Sequence, residues 1–291
     1  MRIGVKLPHT GPVDPSSIPE RARRLERAGF DSLWVSDHVV MPGVIGSRYP
    51  FAADGVATWA TNQPWTEALV ALAAAAAVTT RVRLGTAVLV LPQRNPMLVA
   101  KQVGSLDAIS GGRVELGVGA GWLREEFVAL AADFDARGRR TEEWIALLRE
   151  CWTGRPAAHD GPGYHLEPGT VMLPKPIGRV PILVGGHSPA ALRRAGQFGD
   201  GWLAQQAVPR IDPRELGREI ATVHAAAAAV GRDAADLKVI LRLVESAGRE
   251  QQVAEHLGDF SAAGVDEIVV DVDPFVGDPV LVHGTLRAAA E

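Results

Sequence analysis

An aspartate and a histidine stand side by side at the end of a strand-like segment near the start of the chain. Asp37 and His38 follow residues 32–35 after a single serine. A carboxylate beside an imidazole can bind a ligand or transfer a proton, because histidine changes its charge near neutral pH. A histidine that only hydrogen-bonds a loop, next to a turn-capping aspartate, would give the same dipeptide. The position at a strand end favours the functional interpretation.

Two later strand-like segments end in small residues. The first ends in Gly85-Thr86-Ala87-Val88, which predicts a bulge on which a planar ring could lie. The second ends in Gly117-Val118-Gly119-Ala120-Gly121 and resembles a dinucleotide fingerprint, but Trp122 stands where the third glycine belongs. We therefore expect no Rossmann-type pyrophosphate site. These glycines would keep one wall of a pocket free of side chains. Trp122 would stand either above that wall or in the core.

A third segment runs from a strand directly into a helix start. Residues 181–184 are followed by Gly185, Gly186, His187 and Ser188, and then by a proline. Backbone N–H groups at such a turn, together with a serine hydroxyl, can bind a phosphate group. The alternative is a capped helix start that binds nothing. The two glycines before the cap favour a phosphate site.

Composition and spacing exclude several classes of function. The net charge of -4 leaves no basic excess to neutralise phosphates, so nucleic acid is not expected as a partner. The longest apolar run, residues 68–78, is too short to cross a bilayer. The histidines show no metal-ligand spacing, so no metal is expected, and no Gly-x-Ser-x-Gly elbow supports a hydrolase.

The cysteine content and the first residues favour a cytoplasmic protein. Cys151 is the single cysteine and lies in a helical apolar pattern, so we expect a buried packing role and no internal disulfide. A strand pattern begins almost at Met1, and no signal peptide is therefore expected.

Strand and helix patterns alternate along the whole chain. The alternation predicts a single (β/α)8 barrel domain, the TIM barrel, over residues 1–291. The predicted strands are 3–7, 32–35, 83–90, 113–118, 181–184, 201–204, 238–243 and 267–270. The predicted helices are 19–28, 64–78, 97–109, 141–152, 189–195, 213–229, 250–263 and 279–289.

Two long segments, about 39–63 and 153–179, fit no strand or helix unit. Loops of this length are often lids or binding walls. The first follows a strand directly, so it belongs to the barrel end where active sites form. Its aromatic residues favour an apolar or ring-shaped substrate, although loop packing or a dimer contact would explain them nearly as well. They are Tyr49, Phe51, Trp59 and Trp65.

Taken in order, these segments resemble the luciferase-like monooxygenase superfamily, in its branch of deazaflavin (coenzyme F420)-dependent oxidoreductases. The resemblance covers nearly the whole chain and is strongest in residues 28–42, 81–127 and 181–203. Each segment alone is unspecific, but their combination is not. The family fold is a (β/α)8 barrel with insertions, which agrees with the pattern above.

The resemblance also implies roles for particular residues. Asp37 and His38 match the pair beside the reactive ring carbon of the deazaflavin, with His38 as the catalytic residue. The remaining matches concern cofactor binding. They are Ala87 and Val88 in a strand bulge behind the ring, often with a non-proline cis peptide, Ala120 and Trp122 at the border of the ring, and Gly185, Gly186, His187 and Ser188 in the phosphate-binding turn.

Two departures from the family pattern bear on the reaction. Relatives that oxidise sugar phosphates carry a tryptophan where this chain has Pro42 and a glutamate where it has Trp122. The acid–base set for alcohol oxidation is thus incomplete, which favours reduction of an unsaturated substrate. Flavin mononucleotide (FMN) with oxygen chemistry is the alternative cofactor, and a non-catalytic deazaflavin- or flavin-binding protein is the alternative of another class. Because proteins of this family are commonly dimers, the resemblance implies a homodimer.

Overall fold

The computed structural model describes residues 1–52, 54–57 and 59–290. Its strands are β1 (Arg2–Lys6), β2 (Ser32–Val35), β3 (Arg83–Thr86), β4 (Leu89–Val90), β5 (Val114–Gly119), β6 (His159–Asp160), β7 (His165–Leu166), β8 (Ile182–Gly185), β9 (Gly201–Ala207), β10 (Lys238–Val244) and β11 (Glu267–Val270). Among the described residues, eight parallel strands close into a ring in the order β1-β2-β3-β5-β8-β9-β10-β11. The predicted barrel is confirmed.

Helices cover the outside of the ring. They are α1 (Ile18–Ala28), α2 (Ala68–Ala76), α3 (Pro96–Ser110), α4 (Arg124–Ala129), α5 (Arg137–Cys151), α6 (Pro189–Phe198), α7 (Pro213–Ala228), α8 (Glu250–Glu255), α9 (Leu257–Ala263) and α10 (Pro279–Ala290). The strands are buried on both faces, against the helices outside and the barrel interior inside, which explains their nearly continuous apolar sequence. No helix of the described residues is long and apolar enough to cross a membrane.

Local sequence signals place the helix ends. The side chain of Asn95 accepts hydrogen bonds from the backbone N–H groups of Met97 and Leu98, at 2.9 and 3.2 Å, and so caps α3. Pro96 occupies the first turn, where its missing N–H costs nothing. The helix ends at Gly111, whose φ of 74° is a conformation that glycine adopts without strain.

Three elements differ from the sequence-based expectation. The strand expected at 83–90 is interrupted after Thr86, and β4 resumes on β5 at Leu89. The helix expected from Pro64 begins only at Ala68, because the backbone just before it pairs with residues 9 and 10 in extended form. Its cap is Glu67 and not Asn62. The helix expected at 250–263 is divided into α8 and α9 at His256.

The barrel interior is filled by side chains and is not a pore. The indole of Trp34 lies at its centre, packed with Leu183 and Ile240. A Cβ atom on Gly85 would lie 2.3 Å from the Trp34 ring, so only glycine leaves room for it. Cys151 is buried with no exposed area, as its helical pattern predicted.

Buried ion pairs close the end of the barrel at which the strands begin. Glu115 and Glu267 point into this end and are both fully buried. Arg2 contacts Glu267 at 3.0 Å, and Lys238 contacts Glu115 at 3.1 Å. Arg83 forms a further ion pair with Glu115. Three cations around two carboxylates satisfy their charges here, which leaves the opposite end for a ligand.

Candidate active site

A large cavity opens at the end of the barrel where the parallel strands terminate. Its volume is about 1850 Å³. All the site residues predicted from the sequence line this one cavity: Asp37, His38, Ala87, Val88, Ala120, Trp122, Gly185, Gly186, His187 and Ser188. They follow β2, β3, β5 and β8, which are consecutive in the ring. The predicted site residues therefore occupy one half of the barrel mouth.

His38 is held by a carboxylate that the sequence reasoning did not find. Its Nδ1 lies 2.9 Å from Oε2 of Glu126 in α4. The other oxygen of Glu126 accepts hydrogen bonds from the backbone N–H groups of Val39 and Val40, at 2.6 and 3.2 Å. Because this carboxylate only accepts, Nδ1 of His38 carries a proton and donates it. Nε2 is then the ring nitrogen left to exchange a proton.

Asp37 is buried and forms an ion pair with an arginine. Its oxygens accept hydrogen bonds from Arg94 at 2.7 and 3.3 Å and from the Val90 backbone at 3.0 Å. Burial raises the pKa of Asp37, while the Arg94 guanidinium opposes that rise. Arg94 also contacts Glu67 at 2.9 Å. The pair ties the end of β2 to the loop after β4.

The predicted bulge is present between β3 and β4, and its peptide Ala87-Val88 is cis. Val88 projects into a space that two glycines leave open. A Cβ atom on either Gly119 or Gly185 would lie 2.6 Å from a methyl carbon of Val88. The glycines at the ends of β5 and β8 thus accommodate the bulge. Gly119, which was expected in a low pocket wall, also makes room for the bulge.

Aromatic rings surround His38 on the cavity side. Its ring centroid lies 4.8 Å from that of Trp65, and 6.2 and 6.3 Å from those of Trp59 and Trp122. Tyr49 packs against Trp59 and Trp122 at 4.9 and 5.1 Å. The indole N–H groups of Trp59 and Trp65 are buried without a hydrogen-bond partner among the described residues. This wall is apolar but offers two free donors.

The turn after β8 is a glycine turn that leads into a capped helix start. Gly186 has a φ of 114°, and the Ser188 side chain caps α6 by accepting from the Ala191 N–H at 3.2 Å. His187 accepts from the Gln205 backbone through Nε2 and donates through Nδ1 to Glu219, at 3.0 and 2.8 Å. His187 is thus fixed as a neutral ring that supports the turn.

Residues 1–52, 54–57 and 59–290 contain no cluster of three or more histidine, cysteine or acidic side chains that could hold a metal ion. The other polar side chains around the cavity include several cations and five carboxylates, of which Asp37 and Asp271 are in ion pairs. Their chemistry fits an organic ligand with an acidic group.

Family comparison agrees with this geometry. The model of the family described as luciferase-like monooxygenase matches residues 1–273. The chain belongs to the luciferase-like monooxygenase family. The family resemblance drawn from the sequence is thereby confirmed.

Individual relatives of this luciferase-like chain include characterised enzymes. An uncharacterized protein of Mycobacterium tuberculosis is 43% identical over 202 residues, which cover 69% of this chain and 68% of the relative. The F420-dependent glucose-6-phosphate dehydrogenase of Intrasporangium calvum is 31% identical over 214 residues, covering 68% and 59% of the two chains.

Solved structures show the same fold. An F420-dependent secondary alcohol dehydrogenase, in complex with an F420-acetone adduct, superposes with a TM-score of 0.77 at 20% identity, covering 100% of this chain and 99% of that one. The coenzyme F420-dependent tetrahydromethanopterin reductase from Methanopyrus kandleri gives a TM-score of 0.74 at 16% identity, covering 98% and 96% of the chains.

Besides Glu126 and Arg94, the sequence reasoning missed the cations of the luciferase-like site. Arg194 of α6 lines the cavity with 6% of its surface exposed, contacts Glu142 at 3.1 Å and leaves its Nε without a partner among the described residues. Arg137 lies beside it and stacks on Phe134 with 3.9 Å between guanidinium carbon and ring centroid. Arg194 lies six residues after Ser188, about 1.7 helical turns, so the spacing along α6 gave no signal for it.

Proposed function

We propose that this protein is a coenzyme F420-dependent oxidoreductase that transfers hydride between the deazaflavin and a small, apolar or cyclic organic substrate, with reduction as its direction. The observation that carries the proposal is the His38–Glu126 pair, placed in one cavity with the bulge and the anion-binding turn. The F420-dependent relatives and structures that share the fold support the cofactor.

The cavity fits a cofactor of this kind by size and by donor set. Its volume of about 1850 Å³ exceeds the roughly 300–1000 Å³ of a typical small-ligand pocket, so a tricyclic cofactor and a substrate fit together. The ring would rest on Ala87 and Val88, beside His38 and Trp122. The phosphate end would bind at Gly186 and Ser188, where the start of α6 offers N–H groups.

Two further cations strengthen the phosphate end. Arg194 is nearly fully buried, and its unpartnered Nε is a donor that an anion would satisfy. Arg137 adds a second positive charge on the same side of the cavity. Buried donors that lack a protein partner are costly, and a bound phosphodiester accounts for this one.

The bound deazaflavin supplies hydride chemistry, and the protein supplies orientation and a proton. Glu126 fixes the proton of His38 on Nδ1, so that Nε2 is left to carry the proton that accompanies hydride transfer. The aromatic wall of Trp59, Trp65 and Trp122 keeps water from this nitrogen.

The groups around His38 support the reductive direction. Both oxygens of Glu126 are already occupied, by His38 and by two backbone N–H groups, so this carboxylate holds the histidine and does not face the substrate. Trp122 occupies the position at which, by the resemblance, relatives that oxidise sugar phosphates carry a glutamate. A wall of aromatic rings with His38 as its proton-transfer group suits hydride transfer to an activated C=C, C=N or carbonyl group.

Titration of the purified protein with coenzyme F420 and, separately, with FMN tests the proposal. Quenching of tryptophan fluorescence reports binding, because three tryptophans line the cavity. Tight binding of F420 together with weak binding of FMN is the expected result. The opposite preference would refute the deazaflavin assignment and favour flavin-dependent oxygen chemistry. Binding of F420 without hydride exchange, against a panel of unsaturated acceptors, would favour a non-catalytic carrier.

A further inference from the structure

The second half of the barrel mouth carries charged residues that the proposed cofactor site does not use. It is formed by β9, β10, β11 and β1, the four strands that complete the ring. Lys6 ends β1, Arg242 lies in β10, and Asp271 directly follows β11. All three line the same cavity as His38. A group bound against this wall would face the cofactor half across the barrel mouth.

Arg242 and Asp271 neutralise each other. The guanidinium Nη2 lies 2.7 Å from Oδ1 of Asp271, and Nη1 donates to the Leu243 carbonyl at 3.2 Å. The side chain of Arg242 is 7% exposed and that of Asp271 is 22% exposed. The hydroxyl of Ser246 accepts from the Asp271 backbone N–H at 2.7 Å, which fixes the position of the loop. This pair adds no net charge to the wall.

Lys6 is therefore a cation on the β9–β10–β11–β1 side whose charge the Arg242–Asp271 pair does not neutralise. Within the described residues its ammonium makes no hydrogen bond and no ion pair, and the side chain is half-buried beside the cavity. The nearby His9 adds no charge, because burial lowers the pKa of its ring to about 4. Glu245, on the same wall, is exposed and solvated. The Asp271 carboxylate attracts the Lys6 ammonium and raises its pKa, but its hydrogen bond goes to Arg242, so an anionic ligand would give Lys6 a hydrogen-bonded partner of its own.

We propose that Lys6 binds the carboxylate of an anionic substrate, which lies with its apolar body against the aromatic wall and its acidic group on the β10–β11–β1 side. Lys6 supplies one positive charge for one carboxylate. The assignment of this anion as substrate rests on the proposed function, because it shares the cavity of the deazaflavin.

Burial also lowers the pKa of Lys6 to about 8, from the usual 10.5. The lysine is thus charged at pH 7 and loses its proton as the pH rises through that value. Binding of a carboxylate would raise the pKa again, because an opposite charge favours the ammonium form. Affinity for a carboxylate should hold below pH 8 and fall above it.

A matched pair of ring compounds tests the subsite. Benzoate and benzamide have the same shape, but only benzoate is charged. Titrations of both, followed by tryptophan fluorescence with and without coenzyme F420, should show benzoate binding about tenfold more tightly at pH 7, the worth of one charge-assisted hydrogen bond. Equal affinities would overturn the proposal. Tighter binding of phenyl phosphate than of benzoate would overturn the choice of carboxylate.

Substitutions of one lysine, Lys6, and one arginine, Arg210, test which residue causes the preference for benzoate. Lys6→Met should abolish the preference for benzoate, and Lys6→Arg should keep most of it. Arg210→Met removes the same charge from an exposed position on the rim of the cavity, and it should leave the preference unchanged. A preference that survives in Lys6→Met, or disappears equally in Arg210→Met, would refute a specific role for Lys6.

The outcomes for the subsite and for the proposed function are separable. F420 affinity of Lys6→Met, measured in parallel, should equal that of the parent protein and also shows that the variant is folded. If F420 fails to bind the parent protein while a Lys6-dependent preference for benzoate is present, the anion subsite stands and the cofactor assignment fails. If F420 binds and the preference is absent, the reverse holds.

Discussion

The bulge beneath the proposed ring site offers the sharpest test of how the glycines act. Gly119 is buried at the end of β5, and an added Cβ would lie 2.6 Å from Cγ2 of Val88. Carbon atoms in contact normally stand about 3.5–4.0 Å apart, so Gly119→Ala forces a displacement of about 1 Å. We expect it to lower the free energy of unfolding by about 1–3 kcal/mol, the usual cost of overpacking.

A double-mutant cycle isolates the contact. Val88→Ala removes the two methyl carbons of Val88, and the Cβ of Gly119→Ala then has room. Gly119→Ala should therefore cost much less in the Val88→Ala background, with a coupling of about 1 kcal/mol or more. Chemical denaturation of the four proteins measures it. An unchanged cost of Gly119→Ala in both backgrounds would refute the reasoning.

Gly217→Ala is the matched control for the cycle. Gly217 lies in α7, and a Cβ added there would meet no atom within 4 Å. The substitution should stabilise the protein by about 0.5–1 kcal/mol, because alanine is the better helix former. A loss of stability there would show that alanine substitution alone, without the Val88 contact, explains the result at Gly119.

Three further predictions concern the proposed site. His38→Ala should leave F420 affinity within about threefold and lower turnover by about 10²–10⁴, the worth of a general acid; equal turnover would remove His38 from the mechanism. Glu126→Gln should reverse the His38 tautomer, because an amide N–H would face Nδ1, and so lower turnover by at least about tenfold while the shape is kept; NMR of the imidazole nitrogens checks the tautomer. Gly186→Ala should weaken F420 binding about tenfold, since the φ of 114° disfavours alanine and its Cβ would stand 3.0 Å from that of Ala191; unchanged affinity would argue against the phosphate turn.

Much of the fold was predictable because its signals are local. Alternating strand and helix patterns gave the barrel, and the helix expected at 97–109 is present as α3, one residue longer at each end. The small residues at 85–88 indicated a bulge, but not that the strand ends at Thr86, because the apolar run continues through it. The late start of α2 was likewise hidden, since it depends on pairing of Trp65 with residue 10, far away in sequence.

The candidate site was predictable to the extent that its residues sit at strand ends. Asp37 and His38 were found in this way, because the carboxyl ends of parallel strands meet at one edge. Their partners Glu126 and Arg94 were not, since they lie 88 and 57 residues away and belong to a helix and a loop. A contact of this kind has no signature in the spacing of a single sequence.

The charges on the opposite half of the mouth show why a substrate is harder to predict than a cofactor. The cofactor half is marked by glycines and a capped helix start, which are backbone features with recognisable sequence patterns. Lys6 and Arg242 lie in ordinary strands, where a charged residue is usually one that faces solvent. Only closure of the barrel brings β10 and β11 beside β1 and turns Lys6 toward an enclosed cavity. Substrate charge is therefore encoded in which strands become neighbours, a property of the three-dimensional ring rather than of any segment.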